Sequence, residues 1–396
     1  MRNLRAVGVA VSSLVLGLAA ERAVAADFTV GFAIAQSGWM TAYDGDSHKG
    51  ALIAIDDLNA KGGVLGNTIK AVFADTKSDP AQAGIAGETV LKQGAKFVLA
   101  SCDFDMGGPA GLAAQKAGVL VISICSGSPK WGPVGIGELA FTTGHAAQVD
   151  GFLMAEWAFN KKGWKRAYML RDTSLTYTRA QCAGFEERWK ELAGGLAGVD
   201  TFKNDDPSIA TQITRLKALN PQPDVLFVCT YAPGGPTALR QLRAAGINQP
   251  IMSGLAMDGA YWLDGVPGLS NFYVPTYGSV FGDDPDPEVR DFVEKFKKKF
   301  GQPPATSTSV LGYRAMQKFA IAAEKAKSTD SQAVRKELEK FSEQKVLGGV
   351  VWYDDKVHVL DRTRALIMQV QGGKMGSSGE YVQSAKRVPY DTLFKE

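Results

Sequence analysis

The sequence predicts an α/β fold in which two doubly wound parallel-sheet lobes are joined by a hinge. Three observations predict it. Strands and helices alternate from residue 27 onward, and the alternation restarts after Thr142-Thr143-Gly144. The predicted strands are continuous apolar runs, such as Phe97–Ser101 and Val119–Ile124, which is typical of parallel sheets covered by helices on both faces. The last part of the chain has too few strands for a third lobe.

The first lobe has clear helix boundaries. Lys61-Gly62-Gly63 places a cation and then glycines at the end of one helix, and Asp79-Pro80 supplies the N-cap and first-turn proline of the next. In chain order we predict a strand at 27–35, a helix at 47–60, a strand at 69–74, a helix at 79–94, a strand at 97–101, a helix at 110–117 and a strand at 119–124.

A second series of elements repeats this order. We predict a helix at 148–160, a strand at 166–170, helices at 179–192 and 209–219, a strand at 224–229, a helix at 236–245 and a strand at 250–253. The strands 271–275 and 350–353 and the helices 288–300, 306–326 and 330–341 then complete the two lobes. We assign 27–143 and 276–355 to lobe 1, and 144–275 and 356–396, with a C-terminal tail, to lobe 2. Several crossovers that bend together make a hinge.

The first 26 residues are expected to be a signal peptide. Arg2 and Arg5 precede an uncharged apolar run from Ala6 to Ala20, and small residues follow at Ala23-Val24-Ala25. The run is shorter than the roughly 20 residues that span a bilayer. We expect cleavage near Ala25 or Ala26; an uncleaved membrane anchor is the alternative.

Composition excludes several other classes. The 396 residues carry a formal charge of +3, with no basic tract of the kind that binds nucleic acid. The four cysteines, Cys102, Cys125, Cys182 and Cys229, show no CxxC spacing, so we expect no zinc site. Cys102 and Cys125 each follow a predicted strand and could form a disulfide; buried thiols are the alternative.

Candidate binding residues follow from the predicted sheets. Ligands of open parallel sheets bind beyond the C-terminal ends of the strands, and the loops there are rich in aromatic and small polar residues, as small-molecule sites are. The candidate ligand-binding residues are Trp39, Tyr43, Asp103, Phe104, Cys125, Ser126, Gly127, Tyr177, Tyr231 and Asp258.

Most of these candidates also have a structural alternative. Trp39 and Tyr43 could pack over helix ends, and Phe104 could belong to a core. Asp103 could hold a cationic group of a ligand, but it could instead cap a helix or form hydrogen bonds that close the lobes, and Asp258 could cap a helix. Ser126 and Gly127 could present backbone N–H groups at a helix start, an arrangement that suits a carboxylate.

Sequence motifs of catalysis are scarce. No GxGxxG, GxxxxGK[ST], HExxH or GxSxG occurs, and the three histidines are widely spaced. We therefore expect neither an enzyme nor a cofactor. A ligand-sensing receptor module of the same fold, or a secreted hydrolase with a dispersed catalytic set, are the alternatives to solute binding.

Several short motifs resemble those of one transport family. Ser37-Gly38 after the first strand, the run Asn59–Gly66 at a helix end and Asp75 followed by Asp79-Pro80 resemble the branched-chain amino-acid (Leu/Ile/Val-binding) type of solute-binding protein of ABC importers. Trp352-Tyr353-Asp354 continues the resemblance near the last crossover. The resemblance implies a type I periplasmic binding protein fold: two lobes joined by three crossovers that close over a ligand.

The same resemblance implies a periplasmic monomer that delivers its ligand to a membrane permease. Tyr43 and Tyr177 match tyrosines common in the family. Phe104 stands where amino-acid binders have a small hydroxylic residue for the α-carboxylate, and Asp258 is the only acid near the family's second-lobe carboxylate. The expected ligand is therefore a small amino acid or a related organic acid, aromatic acids included.

Overall fold

The computed structural model describes residues 27–396, so the signal peptide expected at 1–26 lies outside the described residues. The strands are β1 Asp27–Ile34, β2 Thr68–Asp75, β3 Phe97–Ala100, β4 Leu120–Ser123, β5 Ala140–Thr142, β6 Ala167–Asp172, β7 Gly198–Phe202, β8 Val225–Cys229, β9 Ile251–Met252, β10 Phe272–Thr276, β11 Gln344–Val346, β12 Gly349–Val351, β13 Arg364–Gln371 and β14 Lys374–Gln383. The helices are α1 Thr41–Asn59, α2 Pro80–Lys92, α3 Phe104–Lys116, α4 Ala147–Glu156, α5 Thr176–Ala193, α6 Ala210–Lys217, α7 Gly234–Ala244, α8 Pro287–Phe300, α9 Thr308–Ala326, α10 Ser331–Leu338 and α11 Tyr390–Leu393.

Each lobe is built on one large sheet. Lobe 1 has the strand order β2-β1-β3-β4-β5, with every pairing parallel. Lobe 2 has the order β14-β13-β10-β9-β8-β6-β7, which is parallel from β10 to β7. The sequence-based expectation of two α/β lobes with parallel sheets is confirmed for this part of the chain.

The edge of the second sheet differs from the sequence-based expectation, which had no strand beyond residue 353. β13 pairs antiparallel with β10, and β14 pairs antiparallel with β13. The two strands are joined at Gly372-Gly373, and both glycines have positive φ (57° and 77°). Such a glycine pair between two strand-like runs is a hairpin signal. The sequence therefore contains a signal for this hairpin that the sequence-based expectation missed.

The segment between β10 and β13 returns to lobe 1. Phe319 of α9 stacks on Phe97 of β3 with ring centroids 4.5 Å apart, and on Phe28 of β1 at 5.0 Å. All three rings belong to the main core of that lobe. The returning helices therefore cover one face of the first sheet.

Two helices began earlier than the sequence predicted. α1 begins at Thr41 rather than near residue 47, and α3 begins at Phe104 rather than near residue 110. Asp103 caps α3, because its side chain accepts hydrogen bonds from the backbone N–H groups of Asp105 and Met106. Tyr43 therefore lies on the first turn of a helix, and Asp103 lies immediately before one.

Hydrogen bonds join the three places where the chain passes between the lobes. The first passage follows β5, the second follows β10 and the third follows β12. The Ala146 N–H donates to the Leu360 carbonyl (2.8 Å), which joins the first and third passages. The Tyr277 hydroxyl accepts from the His145 N–H (2.8 Å), which joins the second to the first. Within residues 27–396 the passages thus form one bonded hinge.

Paired glycines set the closest helix contacts. A Cβ on Gly50 of α1 would lie 1.9 Å from the backbone carbonyl oxygen of Ser309. A Cβ on Gly312 of α9 would lie 1.6 Å from the backbone carbonyl oxygen of Ser47. Those distances are far below van der Waals contact, so the two backbones touch directly. The α1–α9 contact therefore requires glycine at both positions.

We expect Gly312→Ala to lower the melting temperature by about 2 to 3 °C, corresponding to about 2 kcal/mol of unfolding free energy, because the helices must separate. Differential scanning calorimetry measures this. Gly45→Ala is the control: it lies on α1 with nothing within 4 Å of its added Cβ, so it should leave the melting temperature unchanged or raise it. Equal effects of the two substitutions would contradict the packing argument.

Two disulfides stabilise the lobes. Cys102 and Cys125 join the ends of the neighbouring strands β3 and β4, one of the two possibilities that the sequence left open. Cys182 of α5 is bonded to Cys229 at the end of β8, a pairing that the sequence did not indicate. The bonded pairs are separated by 23 and 47 residues in the sequence. Each bond limits the freedom of the unfolded chain.

Replacing either pair by serine should lower the free energy of unfolding by about 3 kcal/mol, and the Cys182–Cys229 loop should cost slightly more because it is longer. Thermal unfolding of the two double variants, each with and without reductant, measures the effect. Reductant should lower the melting temperature of the unsubstituted protein as well. An unchanged melting temperature in both double variants would contradict a stabilising role of the bonds.

Candidate ligand-binding site

A cavity lies between the two lobes at the C-terminal ends of their strands. It has a volume of about 780 Å³, counting the part of its mouth that is open to solvent. Of the ten predicted site residues, nine line it: Trp39, Tyr43, Asp103, Phe104, Cys125, Ser126, Gly127, Tyr177 and Tyr231. The rule that ligands bind beyond the C-terminal ends of the strands therefore identified residues of both lobes that line this cavity.

Aromatic rings form much of its wall. Trp39 and Tyr43 come from lobe 1, and Tyr231 follows β8 of lobe 2. The ring centroids of Trp39 and Tyr231 lie 5.4 Å apart at an interplanar angle of 45°, and those of Trp39 and Tyr43 lie 6.2 Å apart at 83°. The rings are inclined to one another and line the same cavity, so they do not stack as one slab. Phe104, Tyr177 and Phe394 add three more rings.

Direct contacts between the lobes close the cavity. The Tyr43 hydroxyl lies 3.3 Å from the carbonyl oxygen of Ala232 and 3.2 Å from that of Ala256, both in lobe 2. The Asp105 carboxylate accepts hydrogen bonds from the N–H and hydroxyl groups of Thr176, each at 3.1 Å. Burial raises the pKa of Tyr43 well above its ordinary value, so its hydroxyl keeps its proton as a donor. The described arrangement is a closed one.

A carboxylate forms part of the lobe 1 wall. Oδ1 of Asp103 accepts from the N–H groups of Asp105 (2.8 Å) and Met106 (3.2 Å). The side chain lines the cavity without a cationic partner among the described residues. Burial, and secondarily the neighbouring Asp105, raises the pKa of Asp103 to about 7. Asp103 thus has both the capping role and the access to a ligand that the sequence left as alternatives.

A second acid lies behind this wall. The Asp44 carboxylate accepts hydrogen bonds from the N–H groups of Ala35 (2.7 Å) and Cys102 (2.8 Å) and from the Ser101 hydroxyl (2.6 Å). Burial raises its pKa to about 6, although these donors act in the opposite direction. Asp44 thus holds the chain ends after β1 and β3 together and fixes the loop that carries Asp103.

The expected carboxylate cradle at Ser126 and Gly127 differs from the structure. The segment after β4 does not begin a helix; the chain from 124 to 139 runs as turns and loop. The Ser126 N–H donates to the Ser123 hydroxyl (3.0 Å), and the Ser126 hydroxyl accepts from the Ser128 N–H (3.4 Å). These local bonds compete with helix formation at serine. The two residues line the cavity, but without a helix N-terminus aimed at it.

Asp258 does not line the cavity. Its carboxylate is buried and accepts hydrogen bonds from the Gly259 N–H (2.7 Å) and from the Ser307 N–H (2.6 Å). Ser307 immediately precedes α9, which packs on lobe 1, so this contact joins the two lobes beside the hinge. Burial raises the pKa of Asp258 to about 6. The sequence placed Asp258 among the ligand-binding residues; the structure gives it a bond between lobes.

A buried network connects the cavity to the hinge. The Tyr177 hydroxyl donates to Oδ2 of Asp150 (2.8 Å), and the Leu255 N–H donates to the same oxygen (3.1 Å). Oδ1 of Asp150 accepts from Nε2 of His145 (2.6 Å), and Nδ1 of that ring accepts from the Tyr277 hydroxyl. The Asp150 carboxylate orients the imidazole, since it accepts from an N–H at Nε2. Neither His145 nor Asp150 was predicted, because the sequence analysis had no strand at β5, which ends three residues before His145, and Asp150 lies within α4.

Residues beyond the last strand lie at the mouth of the cavity. The Glu396 carboxylate pairs with Lys130 of lobe 1 (2.6 Å) and with Arg179 of α5 (3.3 Å). The Gln148 amide donates to the carbonyls of Leu393 (2.6 Å) and Lys395 (2.9 Å). Further lining residues that sequence reasoning missed are Lys130, Gln148, Leu393, Phe394 and Glu396. The tail has no strand-end signal that could have placed it here.

Comparisons with known proteins agree with this architecture. A sequence model described as "Periplasmic binding protein" matches residues 27–374. A Leu/Ile/Val-binding protein of Escherichia coli K12 is 27% identical over 338 residues, covering 84% of this chain and 88% of its own. Leu/Ile/Val-binding protein homolog 3 of Brucella melitensis is 25% identical over 321 residues, covering 79% and 83%. No helix within residues 27–396 has the length and apolarity to cross a bilayer.

Solved structures share the fold. The branched-chain amino-acid transporter substrate-binding protein LivJ of Streptococcus pneumoniae, in complex with isoleucine, has a TM-score of 0.76 at 23% identity, covering 90% of this chain and 99% of its own. A solute-binding protein of an ABC transporter from R. palustris, in complex with benzoate, has a TM-score of 0.73 at 16% identity, covering 92% and 99%. With the family match across most of the chain, these likenesses confirm the type I fold, and the chain belongs to the periplasmic binding protein family.

Proposed function

We propose that this chain is the solute-binding component of an ABC importer, which captures a small amino acid or a related organic acid, aromatic acids included, and delivers it to a membrane permease. The observation that carries the proposal is the cavity itself. Both lobes line it, contacts between the lobes close it, and three bonded passages of the chain lie beneath it. A hinge of short segments allows the lobes to open and close around a solute.

The relatives support the proposal. They include Leu/Ile/Val-binding proteins and structures that hold isoleucine or benzoate. We propose that the exported chain works in the periplasm after cleavage near Ala25 or Ala26, as a monomer, by binding its solute unchanged. The ten residues predicted from the sequence, apart from Asp258, are the proposed contact set.

A thermal-shift screen tests solute capture. The mature protein is measured against branched-chain amino acids, aromatic carboxylates, amides and small amines. A solute that binds only the folded protein stabilises it by about 2.7 kcal/mol at a hundred times its dissociation constant, so one class should raise the melting temperature clearly. The solute is then recovered and identified by mass spectrometry. Chemical conversion of the solute would contradict the proposal. It would also be contradicted if no class raised the melting temperature, either before or after bound molecules are stripped from the protein by denaturation.

Tyr43→Phe should weaken binding of the solute with the largest shift by about two- to tenfold, because it removes a hydroxyl that contacts two carbonyls across the cleft. Isothermal titration calorimetry measures the affinity. Tyr313→Phe is the matched control, because its hydroxyl donates to Asp57 within lobe 1 (2.9 Å). Equal affinities of the Tyr43→Phe variant and the unsubstituted protein would show that this contact does not hold the closed form.

A further inference from the structure

The charges of the cavity wall are unequal. Among the described residues that line the cavity, the charged side chains are Asp103, Lys130 and Glu396. Lys130 and Glu396 pair with each other at the mouth, with Nζ 2.6 Å from Oε1. Asp103 lies deeper, next to Phe104 at the start of α3, and has no ion-pair partner among residues 27–396. The wall therefore offers a bound molecule one acidic side chain without an ion-pair partner, which, with its pKa raised to about 7, is negatively charged above a pH of about 7.

The hydrogen-bonding pattern of Asp103 leaves one oxygen available. Oδ1 accepts both capping bonds from the α3 backbone, whereas Oδ2 has no hydrogen-bond partner among the described residues. Asp103 is only partly exposed, and a carboxylate shielded from water without a counter-ion is costly, so a cation from a ligand offsets that cost. A carboxylate of a ligand would instead meet like charge at this wall, with the Ser126 N–H already bonded to Ser123.

The aromatic residues of the wall also favour a bound cation. Six of the lining residues are aromatic: Trp39, Tyr43, Phe104, Tyr177, Tyr231 and Phe394. The π-face of an aromatic ring attracts a cation, and the attraction strengthens when the site excludes water. Inclined rings such as Trp39, Tyr43 and Tyr231 can surround an alkylated ammonium, which buries its carbon substituents against them.

We propose that the solute carries an ammonium group with alkyl substituents, which sits among the rings of Trp39, Tyr43 and Tyr231 and pairs with Oδ2 of Asp103. This inference rests on the proposed function and narrows its solute to one with an alkyl-substituted ammonium group. It assigns to lobe 1 the carboxylate that holds the ammonium, a role for which Asp258 of lobe 2 was the only candidate in the sequence.

Matched probes separate charge from shape. Choline and its neutral carbon analogue 3,3-dimethylbutan-1-ol have nearly the same shape. Leucine carries both an ammonium and a carboxylate group. 3-Methylbutylamine carries the ammonium alone, and 4-methylpentanoate carries the carboxylate alone. Affinities are measured by isothermal titration calorimetry on mature protein that has been stripped of bound molecules.

We expect at least one ammonium probe to bind about tenfold or more tightly than its uncharged or carboxylate-only counterpart. In the Asp103→Asn variant that affinity ratio should fall to about one. Asparagine keeps a capping oxygen and caps helices about as well as aspartate, so α3 should persist, and circular dichroism with the melting temperature checks it. Asp79→Asn is the matched control, because Asp79 caps α2 of the same lobe by accepting from Gln82 (2.8 Å), away from the cavity.

The pH dependence provides a second readout. Because the pKa of Asp103 is raised to about 7 and a cation binds the ionised form, affinity for the ammonium probes should fall as the pH drops below 7. The groups that face Asp103 are Asp105 on α3, Asp44 on α1 and Tyr231 after β8. The Lys130–Glu396 pair lies at the mouth. Loss of the pH dependence in Asp103→Asn, but not in Asp79→Asn, assigns it to Asp103.

Two results would overturn the inference: equal affinity of choline and its neutral analogue together with no binding of 3-methylbutylamine, or tighter binding of 4-methylpentanoate than of the amine. Binding of 4-methylpentanoate or benzoate without any ammonium probe would leave solute capture standing and refute only the ammonium assignment. No binding by any class would contradict both.

Discussion

The hydrogen bonds of His145 connect the hinge to the cavity. Its backbone N–H and Nδ1 both contact the Tyr277 hydroxyl, and it forms a parallel bridge with Leu360, so it touches the other two passages of the chain. Its Nε2 binds Asp150, whose other oxygen accepts from Tyr177. A residue that joins all three passages constrains them to bend together.

Under the proposed function, this network would link the position of a solute to the angle between the lobes. Tyr177 lines the cavity, and the Ala256 N–H donates to its hydroxyl (3.3 Å) while the Ala256 carbonyl lies 3.2 Å from the Tyr43 hydroxyl. A path of hydrogen bonds thus leads from α1 of lobe 1 across the cleft, through Tyr177 and Asp150, to the hinge. Closure around a solute and the arrangement of the passages are therefore parts of one bonded unit.

The sequence predicted what depends on local pattern. Continuous apolar runs identified β3 and β4, and the rule that ligands bind at strand ends placed Trp39 and Tyr231 in one cavity although they lie far apart in the chain. The sequence did not predict the pairing of Cys182 with Cys229, or the position of Glu396 at the mouth of the cavity, because both depend on how distant segments pack. Ser126 lines the cavity, but the helix start expected there was wrong, since its bonds to Ser123 and Ser128 take the place of a helix start.

The central claim is that the lobes close on a solute, and small-angle X-ray scattering tests it most directly. Mature protein stripped of bound molecules is measured alone and with a saturating concentration of the solute that gives the largest thermal shift. The account predicts a smaller radius of gyration with the solute, and a scattering curve then matched by the closed arrangement described above. Identical curves with and without a solute that binds would contradict closure as the means of capture.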